Sequence, residues 1–340
     1  MSGKGTTIQE VARVAGVSTA TVSRTLSNPD LVRDGTKKAV LAAVEKTGYR
    51  INRAAQNLRK QQAGAILVLL PDLGNPFFSQ ILSGIESVLT TSDLSVLITD
   101  ASGIKQSQLV GYFQDTRADG IIILDGAIPH GVLKELIEVV PDNRAVFACE
   151  WKPDTKLPSI RSDNQGGAHQ AVAHLVELGH RKIGHVLGPR GNVLTKERLT
   201  GFERAMLEFD IDINSNWLID GGEFSLEAGA QAARQFIELD ELPTAIFCAA
   251  DLIAMGLISE FAKHGISVPN DVSVIGFDDI AIAYRFIPSL TTIRQNRIQL
   301  GVLAATTLMN SLSGRSMPAE NNVQLVDVLL VERESTAPLS

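Results

Sequence analysis

The chain has 340 residues, of which 44% are hydrophobic and 20% charged, and its formal net charge at pH 7 is −7. This length allows more than one globular domain, and two cysteines are too few for a disulfide framework. No apolar run reaches the roughly 18 residues of a membrane span and the N-terminus lacks a signal-peptide core, so we expect a cytoplasmic protein without a membrane partner.

The first predicted elements are two short helices joined by a tight turn. Thr7 is a good N-cap for the first helix, and Glu10 is placed to complete a capping box. Gly16 can adopt the left-handed conformation that ends a helix, and Ser18 can cap the next one. The pattern predicts a helix-turn-helix.

A third helix is predicted from about Thr36 to Thr47, with Asp34 or Thr36 as its cap and Gly48 as its stop. The apolar positions of the three helices predict a minimal core formed by Val11, Ala15, Val22, Leu26, Val40 and Val44. So small a core leaves the second helix free to enter a major groove. A three-helix bundle used for protein contact is the alternative.

The exposed face of the second helix carries side chains suited to DNA. Thr19 and Ala20 can offer methyl groups to a thymine, and Arg24 can pair with guanine. The hydroxyl groups of Thr21 and Ser23 can bond phosphate.

Charge favours the DNA interpretation. Residues 1–60 hold eleven Lys and Arg against four Asp and Glu, a net charge of +7, so the remainder carries −14. A basic segment on an acidic protein is an electrostatic footprint for phosphate.

Residues 51–63 form a polar, basic segment with too little apolar content to fold alone. We interpret it as a hinge that becomes helical when DNA or a partner chain supports it. Leu58 would then be an apolar wedge in the minor groove. An ordinary flexible tether is the alternative.

The body alternates strands and helices, which predicts doubly wound parallel sheets. The first set of strands is predicted at 65–70, 95–99, 120–124 and 145–149, with helices near 76–91, 105–118 and 130–139. The pattern restarts at 159–163, and continues with strands at 182–187, 244–248 and 272–276 and helices at 165–178, 195–208, 226–238 and 251–264. Two such sheets imply two lobes with a ligand cleft between their strand ends.

Candidate ligand-binding side chains follow these strands. Aromatic rings together with an Arg and an Asp can hold a sugar or nucleoside ring and bond its hydroxyl groups. The candidates are Phe77, Phe78, Glu150, Trp151, Asn192, Arg198, Phe224, Asp251, Asp278 and Asp279. Each candidate also has a purely structural interpretation. An aromatic side chain is more often part of the core than of a binding site, and Asp251 is expected to be the N-cap of its helix.

Motifs along the whole chain resemble the lac repressor (LacI/GalR) family. The head and hinge motifs are 7–12, 17–24 and 52–58, and the body motifs are 75–78, 179–183, 198–202, 243–247, 274–279 and 290–293. The segments 18–24, 71–78 and 227–229 look most like the cytidine-repressor branch.

The resemblance implies a homodimeric transcriptional regulator, expected to be a repressor, whose heads read a palindromic operator and whose body resembles periplasmic sugar-binding proteins. In such proteins the chain crosses between lobes three times, here near 162, 292 and 323. The implied domains are a head at 1–50, a hinge at 51–63, an N-terminal lobe at 64–162 and 293–322, and a C-terminal lobe at 163–292 and 323–340.

The resemblance also assigns residues. Its DNA-contact candidates are Thr19, Ala20, Thr21, Ser23, Arg24, Asn52, Ala55 and Leu58. Arg198 and Asp278 would grip the effector, and Phe77, Phe78, Trp151, Asn192, Phe224 and Ala250 would line the same pocket. Ala250 stands where some sugar-binding relatives have Asn, which leaves the effector's identity open between a sugar and a nucleoside.

Other functions fit less well. A sugar-binding protein without a regulatory role would not need the basic head. An enzyme would need a reactive constellation, and no nucleophile elbow, Walker loop or dinucleotide fingerprint is present. We expect no cofactor and no metal, since the histidines are scattered. The C-terminus carries no apolar heptads for a tetramer, so we expect a dimer.

Overall fold

The computed structural model describes residues 6–50, 57, 62–92, 94–101, 106–115, 117–140, 144–315 and 322–339. The described chain divides into two units, a head ending at Gln62 and a body beginning at Ala63. The α-helices are α1 Ile8–Ala15, α2 Thr19–Ser27, α3 Asp34–Thr47, α4 Phe78–Leu89, α5 Gln106–Gln114, α6 His130–Val139, α7 Asn164–Glu177, α8 Val193–Glu208, α9 Leu226–Ile237, α10 Asp251–Lys263 and α11 Arg297–Leu312. The strands are β1 Ala65–Leu70, β2 Ser95–Asp100, β3 Gly120–Ile123, β4 Ala145–Ala148, β5 Ser159–Ser162, β6 Ile183–Leu187, β7 Leu218–Asp220, β8 Ala245–Cys248, β9 Ser273–Asp278, β10 Thr291–Gln295, β11 Val323–Val326 and β12 Val328–Val331.

The head is the expected set of three helices. Its core is built on buried Val11, Val22 and Val40, one from each helix. Gly16 ends α1 with φ 70°, in the left-handed region that glycine enters without steric cost. The Ser18 hydroxyl then accepts a hydrogen bond from the N–H of Thr21 at 3.1 Å, which caps α2.

Two caps in the head differ from the sequence prediction. Thr7 occupies the cap position of α1 but makes no side-chain capping bond. Glu10 forms an ion pair with Arg13 at 3.3 Å instead of completing a capping box. Helix α3 begins at Asp34, with Arg33 at the cap position, so it starts two residues before the predicted Thr36 and has no side-chain cap.

The body contains two six-stranded sheets. Their strand orders are β11-β5-β4-β3-β1-β2 in the first lobe and β12-β10-β9-β8-β6-β7 in the second lobe. The pairs are parallel except that β12 runs antiparallel to β10. Strand β5, where the pattern was expected to restart, pairs with β4 and β11 and so belongs to the first sheet. The central strands are buried throughout, as parallel strands covered on both faces must be.

The chain passes between the two sheets at three single residues. Asp163 separates β5 from α7, Asn296 separates β10 from α11, and Asp327 separates β11 from β12. Strands β10 and β11 therefore extend past the boundaries expected near 292 and 323. The sequence analysis did not identify these two strands, nor β7, β12 and α11.

Pairs of glycines allow close packing between helices on each lobe. A Cβ on Gly256 of α10 would lie 1.9 Å from the carbonyl oxygen of Leu226, and one on Gly229 of α9 would lie 2.0 Å from that of Ile253. Helices α4 and α11 use Gly84 in the same way. These positions are glycine because the neighbouring backbone leaves no room for a side chain.

The two cysteines, Cys149 and Cys248, are free thiols buried at strand ends. Among the described residues, no helix has both the length and the apolar character needed to cross a bilayer.

Candidate functional site

Helix α2 presents an open polar face in the head unit. Thr19, Ala20 and Arg24 are exposed, while Thr21 and Ser23 are partly exposed. The hydroxyl groups of Thr21 and Ser18 lie 2.9 Å apart, which fixes the first turn of the helix. Because Val22 and Thr25 are buried, the exposed side chains Thr19, Ala20 and Arg24 lie on the opposite side of the helix. Its dimensions and chemistry suit a major groove.

The hinge candidates cannot be placed in the same way. Asn52, Ala55 and Leu58 lie outside the described residues.

Arg198, on α8, is the central cation of the body cleft. It is only 1% exposed. Its Nε donates to Oδ1 of Asn164 at 2.9 Å, and Nη1 donates to the carbonyl oxygen of Ala249. The guanidinium carbon lies 3.9 Å from the centre of the Phe277 ring. Nη2 has no hydrogen-bond partner among the described residues.

Asp278 ends β9 beside this arginine. Its Oδ1 lies 3.7 Å from Nη2 of Arg198 and accepts a 2.6 Å bond from Nε2 of Gln295. Its backbone has φ 124°, a conformation that side chains rarely adopt. Burial raises the pKa of Asp278 to about 6, although Arg198 and the Gln295 bond oppose the shift. The structure thus places Arg198 beside Asp278, the two residues that the sequence resemblance assigns to effector binding.

Gln295, which the sequence analysis missed, links Asp278 to the other lobe. Its Oε1 accepts a 2.6 Å bond from the hydroxyl of Ser162, the last residue of β5. Ser162 and Gln295 lie beside the first two crossings of the chain. Little in the sequence indicates Gln295, because it is the last residue of β10 and that strand was not predicted.

The aromatic candidates differ in their surroundings: Phe77 and Phe78 are buried in the hydrophobic core of the body, whereas Phe224 lies beside Arg198. On the first lobe Phe77 and Phe78 are in edge contact, with ring centres 5.1 Å apart. On the second lobe the ring of Phe224 lies 5.8 Å from the guanidinium carbon of Arg198. Arg297 bridges the lobes, since its guanidinium donates to the carbonyl oxygens of Phe77 at 3.5 Å and Asp279 at 2.6 Å.

A side-chain hydrogen bond also joins the lobes directly. Nδ2 of Asn192, at the start of α8, donates to Oε1 of Glu150 at 3.1 Å. Oε2 of Glu150 accepts from the N–H of Gly126 at 2.8 Å. Burial raises the pKa of Glu150 to about 6, against the effect of these two bonds. The sequence pointed to position 150 only as a polar residue after a buried strand.

Two other candidates make different contacts. The indole of Trp151 lies under the guanidinium of Arg161, whose carbon is 4.0 Å from the ring centre. Both line a groove of about 510 Å³ that also contains Ser162 and Gln165. Ala250 is buried at the cap position of α10. The described contacts therefore group Trp151 with Arg161, not with Arg198.

Asp251 was expected to cap α10, and this expectation is wrong. The residue is the first of the helix, and its carboxylate accepts from the hydroxyl of Thr292 and from the N–H of Ile280 at 2.8 Å. Burial raises its pKa well above the ordinary value, and Asp278 raises it further. Asp251 thus holds the loop that follows Asp278.

A separate groove of about 620 Å³ lies on the first lobe between α6 and the loop at 154–157. Its floor is largely apolar, and it contains none of the candidate effector residues. Buried polar groups that converge on one point are a more specific sign of a ligand site than the volume of a groove. We therefore place the candidate site at Arg198 and Asp278.

Comparisons with known proteins agree with this description. The chain is 35% identical over 337 residues to the HTH-type transcriptional repressor PurR of Photobacterium profundum, covering 98% of this chain and 99% of the relative. It is 35% identical over 335 residues to the repressor CytR of Escherichia coli (strain K12), covering 98% and 97%. A crystal structure of the lac repressor dimer bound to operator and the anti-inducer ONPF superposes with a TM-score of 0.84 at 29% identity, covering 98% of this chain and 100% of that one.

A helix-turn-helix unit attached to a two-lobed body with polar groups between its lobes defines a DNA-binding transcriptional regulator controlled by a small molecule. Residues 7–52 match the model of bacterial regulatory proteins of the lacI family, and residues 172–336 match that of the periplasmic binding protein-like domain. The chain belongs to the lacI family.

Proposed function

We propose that this protein represses transcription as a homodimer on a palindromic operator, and that a sugar or nucleoside bound between the lobes controls its operator affinity. The observation that supports the effector site most directly is the buried Nη2 of Arg198, which lacks a partner among the described residues and lies beside Asp278. A buried donor left unbonded is costly, so a ligand oxygen that accepts from it gains affinity.

In the head, α2 reads the operator. Thr19 and Ala20 contact thymine methyl groups, and Arg24 pairs with guanine through its two-pronged guanidinium. Thr21 and Ser23 hold phosphate. Supporting this assignment are the exposed face of α2, the +7 charge of residues 1–60 and the operator in the lac repressor structure.

The hinge, residues 51–63, contacts the minor groove. Asn52 and Ala55 would face the DNA, and Leu58 would insert between base steps as an apolar wedge. Leu58→Ala should then reduce operator affinity and DNA bending without altering dimer stability, whereas unchanged bending would make this segment a tether.

In the body, Arg198 and Asp278 bind the hydroxyl groups of the effector. An Arg fork donates to a ring hydroxyl and an Asp carboxylate accepts from its neighbour, and both bonds are charge-assisted in a partly dry site. The remaining lining residues would be Phe77, Phe78, Asn192, Phe224 and Ala250; Trp151 is left out of this pocket because its ring packs against Arg161. Phe224, whose ring lies 5.8 Å from the guanidinium carbon of Arg198, is suited to pack on a ligand ring.

The ligand bridges the lobes and so biases their relative angle. Ser162, Gln295 and Asp278 form a continuous hydrogen-bonded chain from the effector site to two of the three crossings. A dimer converts that angle into the spacing of its two heads, so effector and operator binding are reciprocally coupled.

The alternatives are a sugar-binding protein without a regulatory role and an enzyme. A thermal-shift screen of sugars and nucleosides, followed by operator selection from random DNA, separates them. The proposal predicts a ligand that raises the melting temperature and a selected palindrome, because a ligand that binds only the folded state must stabilise it. Stabilisation by a ligand without any selected DNA would support the sugar-binding alternative.

A further inference from the structure

The carboxylate of Glu150 has acceptor capacity that the described residues do not fill. It is 5% exposed and accepts two hydrogen bonds, from Gly126 and Asn192. An ionised carboxylate offers about four acceptor positions. Two remain for a ligand, at a point where the first lobe meets the second.

No cation among the described residues neutralises this carboxylate directly. None of the ion pairs that these residues form includes Glu150. The nearby ammonium of Lys152 donates to the carbonyl oxygen of Gly126 at 3.2 Å, and Asp125 adds a second buried carboxyl to the same region. A buried carboxylate with so little compensation is stabilised by any N–H donor that a ligand brings.

The opposite requirement holds at Arg198. Its free Nη2 needs an acceptor, and Arg198 is close enough to Glu150 to affect that carboxylate electrostatically. A ligand that suits this cleft therefore carries a hydrogen-bond acceptor near Arg198 and an N–H donor near Glu150. A plain sugar satisfies the arginine and aspartate, but an amino group satisfies Glu150 better because it has more than one hydrogen to donate.

We propose that Glu150 selects effectors whose ring carries an amino group and disfavours counterparts with an oxo group at the same position. This inference rests on the proposed effector site and specifies its ligand class. An oxo group would direct its lone pairs at the carboxylate, with both atoms acting as acceptors. A site built to bond an N–H rejects an analogue that lacks it far more strongly than a site built on shape alone.

The test is calorimetric titration of the full chain with matched ligand pairs: cytidine and uridine, adenosine and inosine, glucosamine and glucose. The first two pairs differ by amino against oxo, and the third by amino against hydroxyl, which also distinguishes a nucleobase amine from a sugar amine. We expect at least a tenfold tighter Kd for the amino member of the pair that binds. Equal affinities within a binding pair would overturn the inference and leave the proposed effector site intact.

Variants assign the preference to this residue. Glu150→Gln, whose amide can donate, should remove or reverse the amino preference. Asp125→Asn is the matched control, because Oδ1 of Asp125 accepts from the N–H of Ala127 at 2.8 Å and an amide oxygen can replace it. The control should keep the preference. Persistence of the preference in Glu150→Gln would contradict the inference, and so would absence of binding by all three amino ligands; the effector site itself is tested separately by the thermal-shift screen of sugars and nucleosides.

Discussion

Nη2 of Arg198 lies 3.7 Å from Oδ1 of Asp278, too far for a hydrogen bond, and both groups are buried. The other two nitrogens of the guanidinium are bonded to Asn164 and Ala249 within the same lobe. The arginine is thus held in place by Nε and Nη1, and both N–H groups of Nη2 are left without a hydrogen-bond partner among the described residues. This is the arrangement expected of a preorganised ligand-binding group, since its position does not depend on the ligand.

Replacement of Arg198 should weaken effector binding more than replacement of an arginine elsewhere on the second lobe. Arg198→Ala removes a charge-assisted bond to the ligand, and we expect affinity to fall by about 1.5 to 3 kcal/mol. Arg234→Ala is the control, because Arg234 is a half-exposed residue of α9 that pairs with Glu227 and Glu260. Calorimetry measures both. Equal Kd values for Arg198→Ala and the parent would move the site away from this residue.

Ligand-free stability should depend on pH through Glu150. Its pKa is raised from 4.5 in the unfolded chain to about 6 in the folded chain, so the unfolded state ionises first. The folded chain therefore loses stability relative to the unfolded chain as pH rises from about 4.5 to 6, by about 2 kcal/mol from this group. Asp278 contributes with the same sign.

Urea unfolding at several pH values, compared between the parent and Glu150→Gln, isolates the Glu150 contribution. Asp125, Lys152, Arg198 and the other charged groups near position 150 remain in both proteins. The parent should lose more stability than the variant over this interval. If the stability of the two proteins changed equally with pH, burial would not raise the pKa of Glu150 in the folded chain.

Close packing of α9 and α10 predicts a large effect at a single glycine. A methyl group at Gly256 would overlap the carbonyl oxygen of Leu226, so Gly256→Ala should destabilise the body by about 1 to 3 kcal/mol. A methyl group at Gly131 of α6 would meet no atom within 4 Å, so Gly131→Ala should be neutral or stabilising by up to about 1 kcal/mol. Denaturant unfolding measures the free energy of unfolding of both variants. Equal changes in the two variants would contradict the close packing of α9 and α10.

Arg24 should contribute base specificity. Arg24→Ala is expected to cost about 1 to 3 kcal/mol of operator affinity and to relax one operator position. Arg13→Ala provides the control, because Arg13 is an exposed arginine of α1 that pairs with Glu10. Binding assays on a panel of single-base operator variants separate the two outcomes. Uniform weakening across the panel would indicate that Arg24 contacts phosphate only.

Sequence patterns predicted the parts of the fold that depend on local chemistry. Gly16 and Ser18 determine the turn between α1 and α2 through backbone conformation and capping, which are local effects. The apolar run of β1, residues 65–70, is long and uninterrupted because it is covered on both faces. Such signals do not require knowledge of the neighbours.

The remaining elements depend on distant partners. Strand β11 is a four-residue edge strand with exposed Val323 and Leu325, and its place in the first sheet depends on β5, which lies far earlier in the chain. Asp251 has the position and chemistry of a helix cap, but its oxygens bond to Thr292 and Ile280, which follow it by 41 and 29 residues. No local pattern distinguishes these alternatives.

The candidate site shows the same division. Arg198 and Asp278 were expected from motifs, whereas Gln295 and the bond between Glu150 and Asn192 exist only because folding brings separate strand ends together. The contact of Trp151 with Arg161 is likewise tertiary. Sequence patterns can indicate which polar residues after buried strands are candidate site residues. Which of these residues contact each other depends on the geometry of both lobes.

The most direct test of the central claim is operator affinity of the full chain with and without saturating effector, measured by fluorescence anisotropy on the selected palindrome. In the parent, the effector should change operator affinity by about 5- to 150-fold, which corresponds to a coupling free energy of about 1 to 3 kcal/mol. In Asp278→Asn, ligand-free operator affinity should match the parent and the response to effector should be lost. An effector response of parental size in this variant would contradict the account.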